Sequence, residues 1–84
     1  MLSTIVGRYV GIINRKEDGQ TVPYHKFEAV LIVRPIQRDN VYASCIFPVT
    51  DTQHFTKEDV GQVLSVTGNL SENALGQLTM GQIV

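Results

Sequence analysis

Residues 5–34 read Ile-Val-Gly-Arg-Tyr-Val-Gly-Ile-Ile, then Asn-Arg-Lys-Glu-Asp-Gly-Gln, then Thr-Val-Pro-Tyr-His-Lys-Phe-Glu-Ala-Val-Leu-Ile-Val-Arg. The first segment, Ile5 to Ile13, is rich in β-branched residues and lacks helical caps, so it predicts a strand. Gly7 and Gly11 inside it call for a bend or a bulge, as in a long first strand that serves two sheets. In the second segment Asp18-Gly19 is a hairpin signal, because glycine takes positive φ without a steric cost. The third segment then returns antiparallel from Thr21 to Arg34, ended by Pro35. Period-2 counting from Phe27 places Phe27, Ala29, Leu31 and Val33 on a core-like face. Tyr24, Lys26, Glu28 and Arg34 fall on the other face with Val30 and Ile32.

Beyond this hairpin, Pro35 to Asn40 is polar and turn-forming. Val41 to Val49 alternates as a third strand with Val41, Ala43, Cys45, Phe47 and Val49 on one face and Tyr42 and Ser44 opposite. The period breaks from Asp51 to Gly61. There Phe55-Thr-Lys-Glu-Asp-Val60-Gly61 carries the marks of one helical turn: Thr56 as N-cap, Asp59 at N3, Phe55 and Val60 as a hydrophobic staple, Gly61 as the stop. Gln62 to Leu70 and Leu78 to Val84 complete five strands, with a turn from Ser71 to Gln77 between them. Five strands, a glycine-bent first strand, an early hairpin and a helical turn between strands three and four predict an all-β chain. Its expected form is a single five-stranded Greek-key barrel of the OB type, with an SH3-like barrel as the rival.

Composition narrows the classes of function. The chain has 84 residues, 43% hydrophobic and 18% charged, with a mean hydropathy of +0.02, which describes one small globular domain rather than a disordered segment. The longest uninterrupted apolar run is the five residues Ala29 to Val33. That is far short of the ~20 needed for a membrane-spanning helix, and Arg8 interrupts the early apolar stretch of any signal peptide. A cytoplasmic, membrane-independent protein is the expectation. Cys45 is the single cysteine and no Cys/His pair has zinc spacing, so no disulfide, metal or other cofactor is expected. Packing and self-association must then stabilise a small core. The uncharged final strand, Leu78 to Val84, looks like an edge open to pairing and points to a homo-oligomer, most simply a dimer.

Charge is uneven along the chain. Residues 1–38 hold six basic groups against three acidic ones, a surplus of +3, whereas residues 39–84 hold Lys57 against five acidic groups, a deficit of −4. A basic side built from the first half suits phosphates, while charges that only solvate outer strand faces are the plain alternative. Two segments also resemble the bacterial-type single-stranded DNA-binding proteins: Thr4-Ile-Val-Gly-Arg8, similar to their opening strand, and Gly61-Gln-Val-Leu-Ser-Val-Thr-Gly-Asn-Leu70, similar to their fourth. Gly76-x-Leu78-x-Met80 running to Ile83-Val84 resembles the closing strands of the compact DNA-binding proteins of filamentous phages. These segments cover about a third of the chain, with no tryptophan for stacking and no acidic partner-recruiting tail. The resemblance implies an oligomer that coats single-stranded DNA in replication or recombination.

Single strands are held by a basic track along the phosphates and by rings on which bases stack. The candidates for stacking are Tyr24 and Tyr42, both opposite the core parity of their strands, and ordinary cross-strand packing is the alternative. Arg15 and Lys16 sit in the connection between strands one and two, which contributes to ligand binding in OB folds. Arg8, Lys26, Arg34 and Arg38 are further candidate phosphate contacts. Tyr9 and Phe47 read as core, His25 as a hydrogen-bonded, partly buried imidazole, and Cys45 as a small buried hydrophobe. Asp51, His54 and Glu58 read as polar loop residues. No nucleophile, base and oxyanion donor converge in any known spacing, so an enzyme is not expected. A protein-binding or structural β-barrel module, working through the acidic half and the apolar last strand, is the alternative function.

Overall fold

A computed structural model describes residues 2–34, 40–50, 55–72, 74 and 77–83. Strands β1 (Leu2–Glu17), β2 (Gln20–Arg34), β3 (Val41–Pro48), β4 (Val63–Glu72) and β5 (Leu78–Ile83) are joined by a 3₁₀ turn, Lys57–Asp59, between β3 and β4. They close into a barrel in the order β1-β2-β3-β5-β4, with β4 returning to β1. Neighbours are antiparallel except β3 and β5, which run parallel through Cys45↔Leu78 and Ile46↔Thr79. This is the OB-type Greek-key barrel that the strand count and the helical turn predict.

β1 serves both walls. Its first half pairs with β4 from Leu2↔Asn69 to Arg8↔Val63, and nearly all of it pairs with β2. Two irregularities let it do so. At Gly11, φ is +109° and the register slips between Tyr9 and Gly11, a bulge that turns β1 away from β4. Past that point β1 pairs with β2 alone, while β3 stays alongside β2 as far as Tyr24↔Pro48. Beyond it Arg15–Glu17 and Gln20–Val22 run on as a two-stranded arm closed by Asp18 and Gly19, whose φ values of 50° and 78° are those of a type I′ turn.

At Gly7 the geometry is the reverse, because the extra residue is on β2: Val6 pairs with Leu31 and Arg8 with Glu28, leaving Ala29 and Val30 opposite one glycine. Ala29 takes φ +53° there and is exposed. This bulge switches the inward face of β2, so the single alternation expected from Phe27 through Val33 fails. His25 and Phe27 point inward before it, and Val30 and Ile32 after it; Ala29, Leu31 and Val33 are not core residues. The switch passes to β3, where Cys45 pairs with Phe27 and Tyr42 with Val30, three residues apart on both strands. Val41 and Ala43 therefore lie exposed, Val49 is half-buried, and Tyr42 packs against the core, contrary to the even alternation of β3. Ile46 is buried outside the core cluster, on the outer wall between Lys26 and Thr79.

The core joins Ile5, Tyr9, Phe27, Val30, Ile32, Cys45, Phe47, Val66, Leu78 and Met80. Burial pushes the Cys45 thiol up to about 12, so it stays protonated and inert. Phe55 enters from the 3₁₀ turn and packs its ring on Tyr9, His25, Phe27 and Phe47 at centroid distances of 4.9 to 6.2 Å. It acts as a plug at the barrel end more than as a staple to Val60, which is 47% exposed. The turn itself is fixed by the Thr56 N–H donating to Asp59 Oδ2 at 2.7 Å. The final strand is not an open edge, because β5 pairs with β4 and β3 and buries Leu78 and Met80.

Gly7 is where the fold is most sensitive. A Cβ there would lie 3.0 Å from Val30 Cγ2 and 3.2 Å from the Glu28 carbonyl oxygen. Gly7→Ala should cost about 1 to 3 kcal/mol through overpacking, measured by urea denaturation, and Gly7→Val more. Ala29→Gly should raise the denaturation midpoint, since a left-handed conformation costs an L-residue roughly 1 to 2 kcal/mol and glycine nothing.

Candidate nucleic-acid interface

Strand register sorts the candidate residues onto surfaces. Along β2, Val22, Tyr24, Lys26 and Glu28 share the outward face. Their β1 partners there are Arg15 opposite Val22, Ile13 opposite Tyr24, and Arg8 opposite Glu28. Arg15 places its guanidinium carbon 5.7 Å from the centre of the Tyr24 ring, a cation–π arrangement, and the Tyr24 hydroxyl donates to Glu17 Oε1 at 2.5 Å. The Glu17 hydrogen bond holds the Tyr24 phenol above its usual pKa, with desolvation adding to the shift. The ring is thereby pinned along the arm between a cation and a carboxylate.

Lys26 stands two residues further along the same face and, among the described residues, makes no ion pair. Arg8 is instead engaged: its Nη2 donates to Glu28 Oε2 at 2.8 Å, a surface pair of small energetic worth that still neutralises the arginine. Lys16 pairs with Thr21 on the other face of the arm, with Ile12 and Asn14. Arg34 pairs with Thr4 at the far end of β2 and is exposed. Arg38, Asp51 and His54 lie outside the described residues, and Glu58 is exposed on the 3₁₀ turn.

Tyr24 and Tyr42 do not form one platform. Tyr24 pairs with Pro48 and Tyr42 with Val30, so about 20 Å of ladder separates them at 3.3 to 3.4 Å per residue. The parity switch at Ala29 also turns Tyr42 toward the core rather than leaving it outside. The structure brings Arg15, Tyr24 and Lys26 together and separates Tyr42, Lys16 and Arg34 from them. Lys57 is a basic group of the structure that is not among the sequence candidates. It lines a shallow cavity of about 180 Å³ with Tyr9, Ile12, Phe55 and Val60, beneath the arm face that carries Lys16. Its signal was its position as the one basic group in the acidic half of the chain.

Beneath the arm, His25 is 2% exposed and held by Tyr9 Oη to Nδ1 at 2.8 Å, among the rings of Tyr9, Phe47 and Phe55. Its Nε2 is buried with no hydrogen-bond partner among the described residues. Burial lowers the His25 pKa and raises that of Tyr9, the latter helped by the Asp59 charge. No protein-family model matches this chain, and no curated protein or solved structure matches it either.

Because the folded pKa of His25 lies below its ordinary 6.5, the unfolded chain takes up the proton first as pH falls. Stability from the neutral imidazole is complete above about pH 6.5 and is lost progressively as pH drops below it toward the folded pKa. Urea midpoints at pH 7.5 and pH 5 should therefore differ more for the wild type than for His25→Phe, which has no proton to bind. Equal differences would assign the acid sensitivity to the carboxylates.

Proposed function

We propose that this protein is a non-enzymatic, sequence-tolerant single-stranded DNA-binding protein of a replication or recombination system, working in the cytoplasm. The observation that carries the proposal is the Arg15–Tyr24 pair, a half-exposed aromatic ring at the base of the arm beside a cation and followed on the same outward face by Lys26. A base stacked on Tyr24 would leave its flanking phosphates within the field of Arg15 and Lys26, with Lys16 on the back of the arm as a further contact. The likeness of Thr4–Arg8 and Gly61–Leu70 to single-stranded DNA-binding proteins and the OB barrel with its β1–β2 arm point the same way.

In this reading the driving forces are counter-ion release and stacking, both indifferent to sequence. Arg8 contributes less than an unpaired arginine because Glu28 already neutralises it, and Tyr42 serves the barrel rather than the ligand. Glu17 opposes binding by its charge while orienting the ring that binds.

Fluorescence anisotropy with labelled oligo-dT, against a duplex control, tests the proposal. Binding should prefer the single strand. Roughly three to five neutralised phosphates should give a log K against log salt slope of about −2 to −3.5, at ~0.7 per contact. Tyr24→Ala should weaken binding by roughly 1 to 3 kcal/mol without loss of fold, and Tyr42→Ala should lower stability while leaving the affinity of the folded protein nearly unchanged. No binding at low salt, or an affinity that ignores salt, would leave the protein-binding module as the function.

A further inference from the structure

Away from the arm, the outer wall of the barrel carries three evenly spaced cross-strand rows: Arg8·Glu28·Ser44, then Val6·Leu31·Val41, then Thr4·Arg34. The spacing is even because β2 has extra residues on both sides of Leu31, at the Ala29 bulge and at Val33, where the register slips between Thr4 and Ile5. Glu28 and Arg34 thus each lie one row, about 7 Å, from the Leu31 row. The middle row is apolar on all three strands. Val41 is 66% exposed, Val6 and Leu31 are half-buried, and Val63, beside Arg8 on β4, is 68% exposed. An apolar row across three strands on an outer wall marks an interaction surface more than scattered single residues do.

We infer that this wall is a self-complementary interface that pairs two copies of the chain face to face about a two-fold axis lying along the Val6·Leu31·Val41 row. Such an axis sets each apolar residue of that row against its own counterpart. It also carries the row on one side of Leu31 onto the row on the other side, so Glu28 of one copy meets Arg34 of the second, and the contact occurs twice. Glu28 then lies between Arg8 of its own chain and Arg34 of the partner subunit. Among the described residues Arg34 makes no ion pair within its own chain, so its charge is open to this contact. The choice of a second copy as occupant rests on this charge match: Glu28, which also holds Arg8 of its own chain, and Arg34 lie on β2 one row to either side of the apolar centre. Tyr24 is seven residues from Leu31 and stays uncovered, so the interface does not depend on DNA binding and leaves both arms exposed on one assembly.

Sedimentation equilibrium tests the interface. The wild type should show a concentration-dependent dimer, and Val41→Lys, at an exposed position, should shift it to monomer. E28R and R34E should each weaken the dimer at least tenfold, because the first sets two cations against each other across the axis and the second sets two carboxylates. A 1:1 mixture of the two single variants should recover a heterodimer near wild-type strength, because both contacts then join opposite charges. Circular dichroism reports whether each variant is folded, and Val41→Lys decides the matter if a charge variant is not. A 9.3 kDa monomer at every concentration would overturn the inference. So would a wild-type dimer untouched by Val41→Lys, or a mixture that associates no better than either variant alone.

Discussion

At Gly7 the β1 backbone passes β2 so closely that a side chain there would crowd Val30 and the Glu28 carbonyl at 3.0 and 3.2 Å. Much of the barrel follows from that approach. Two residues of β2 must face one residue of β1, so Ala29 is driven into a left-handed conformation and the inward face of β2 changes parity in mid-strand. Phe27 and Val30 can then both point into the barrel, which strict alternation forbids for residues three apart. The strong local twist that accompanies a bulge also lets a five-stranded sheet curl enough to close.

The same switch divides the outer surface into two territories. Below it, the outward positions of β2 carry Tyr24, Lys26 and Glu28 and continue onto the arm; above it, they carry Leu31 and Arg34. The arm end is polar, charged and aromatic, and the other end is apolar with charges at its margins. Under the arm, Phe55, Tyr9 and His25 fill the barrel mouth with rings. The two-stranded ribbon is therefore anchored on a packed aromatic base, so Tyr24 is presented from a rigid foot.

The number and order of the strands, the hairpin at Asp18-Gly19, the bulge at Gly11 and the turn after Thr56 were all legible in local sequence, because each depends on neighbours within a few residues. The core assignments of Phe27, Phe47, Tyr9 and Cys45 were legible for the same reason. What misled was parity. Nothing near Ala29 announces a bulge, since alanine is not a residue that seeks positive φ, and the cause lies on another strand, at Gly7. A glycine in a strand signals an irregularity but does not say which strand will carry the extra residue. Tyr42 turns inward for the same reason, because the shift is carried across the ladder from Val30. The free last edge failed for a different reason: an uncharged strand reads the same whether it is open or sealed on both sides. Arg15 and Tyr24 were identifiable as candidates, but their mutual approach depends on the hairpin register, and the separation of Tyr24 from Tyr42 on the bulge.

Among the described residues β5 meets β3 through two residue pairs, and it closes the barrel. During synthesis from the N-terminus, β1, β2 and β3 can pair as a meander long before this strand exists. Until it arrives, that meander is an open trough lined by the core residues Ile5, Tyr9, Phe27 and Phe47. The partners of β1 on β4 lie more than fifty residues away in the chain, so the sealing step waits for distant contacts and is slow by its topology. A nascent or truncated chain that stops short of Leu78 would present this trough to its neighbours, and its hazard is aggregation rather than simple loss of activity.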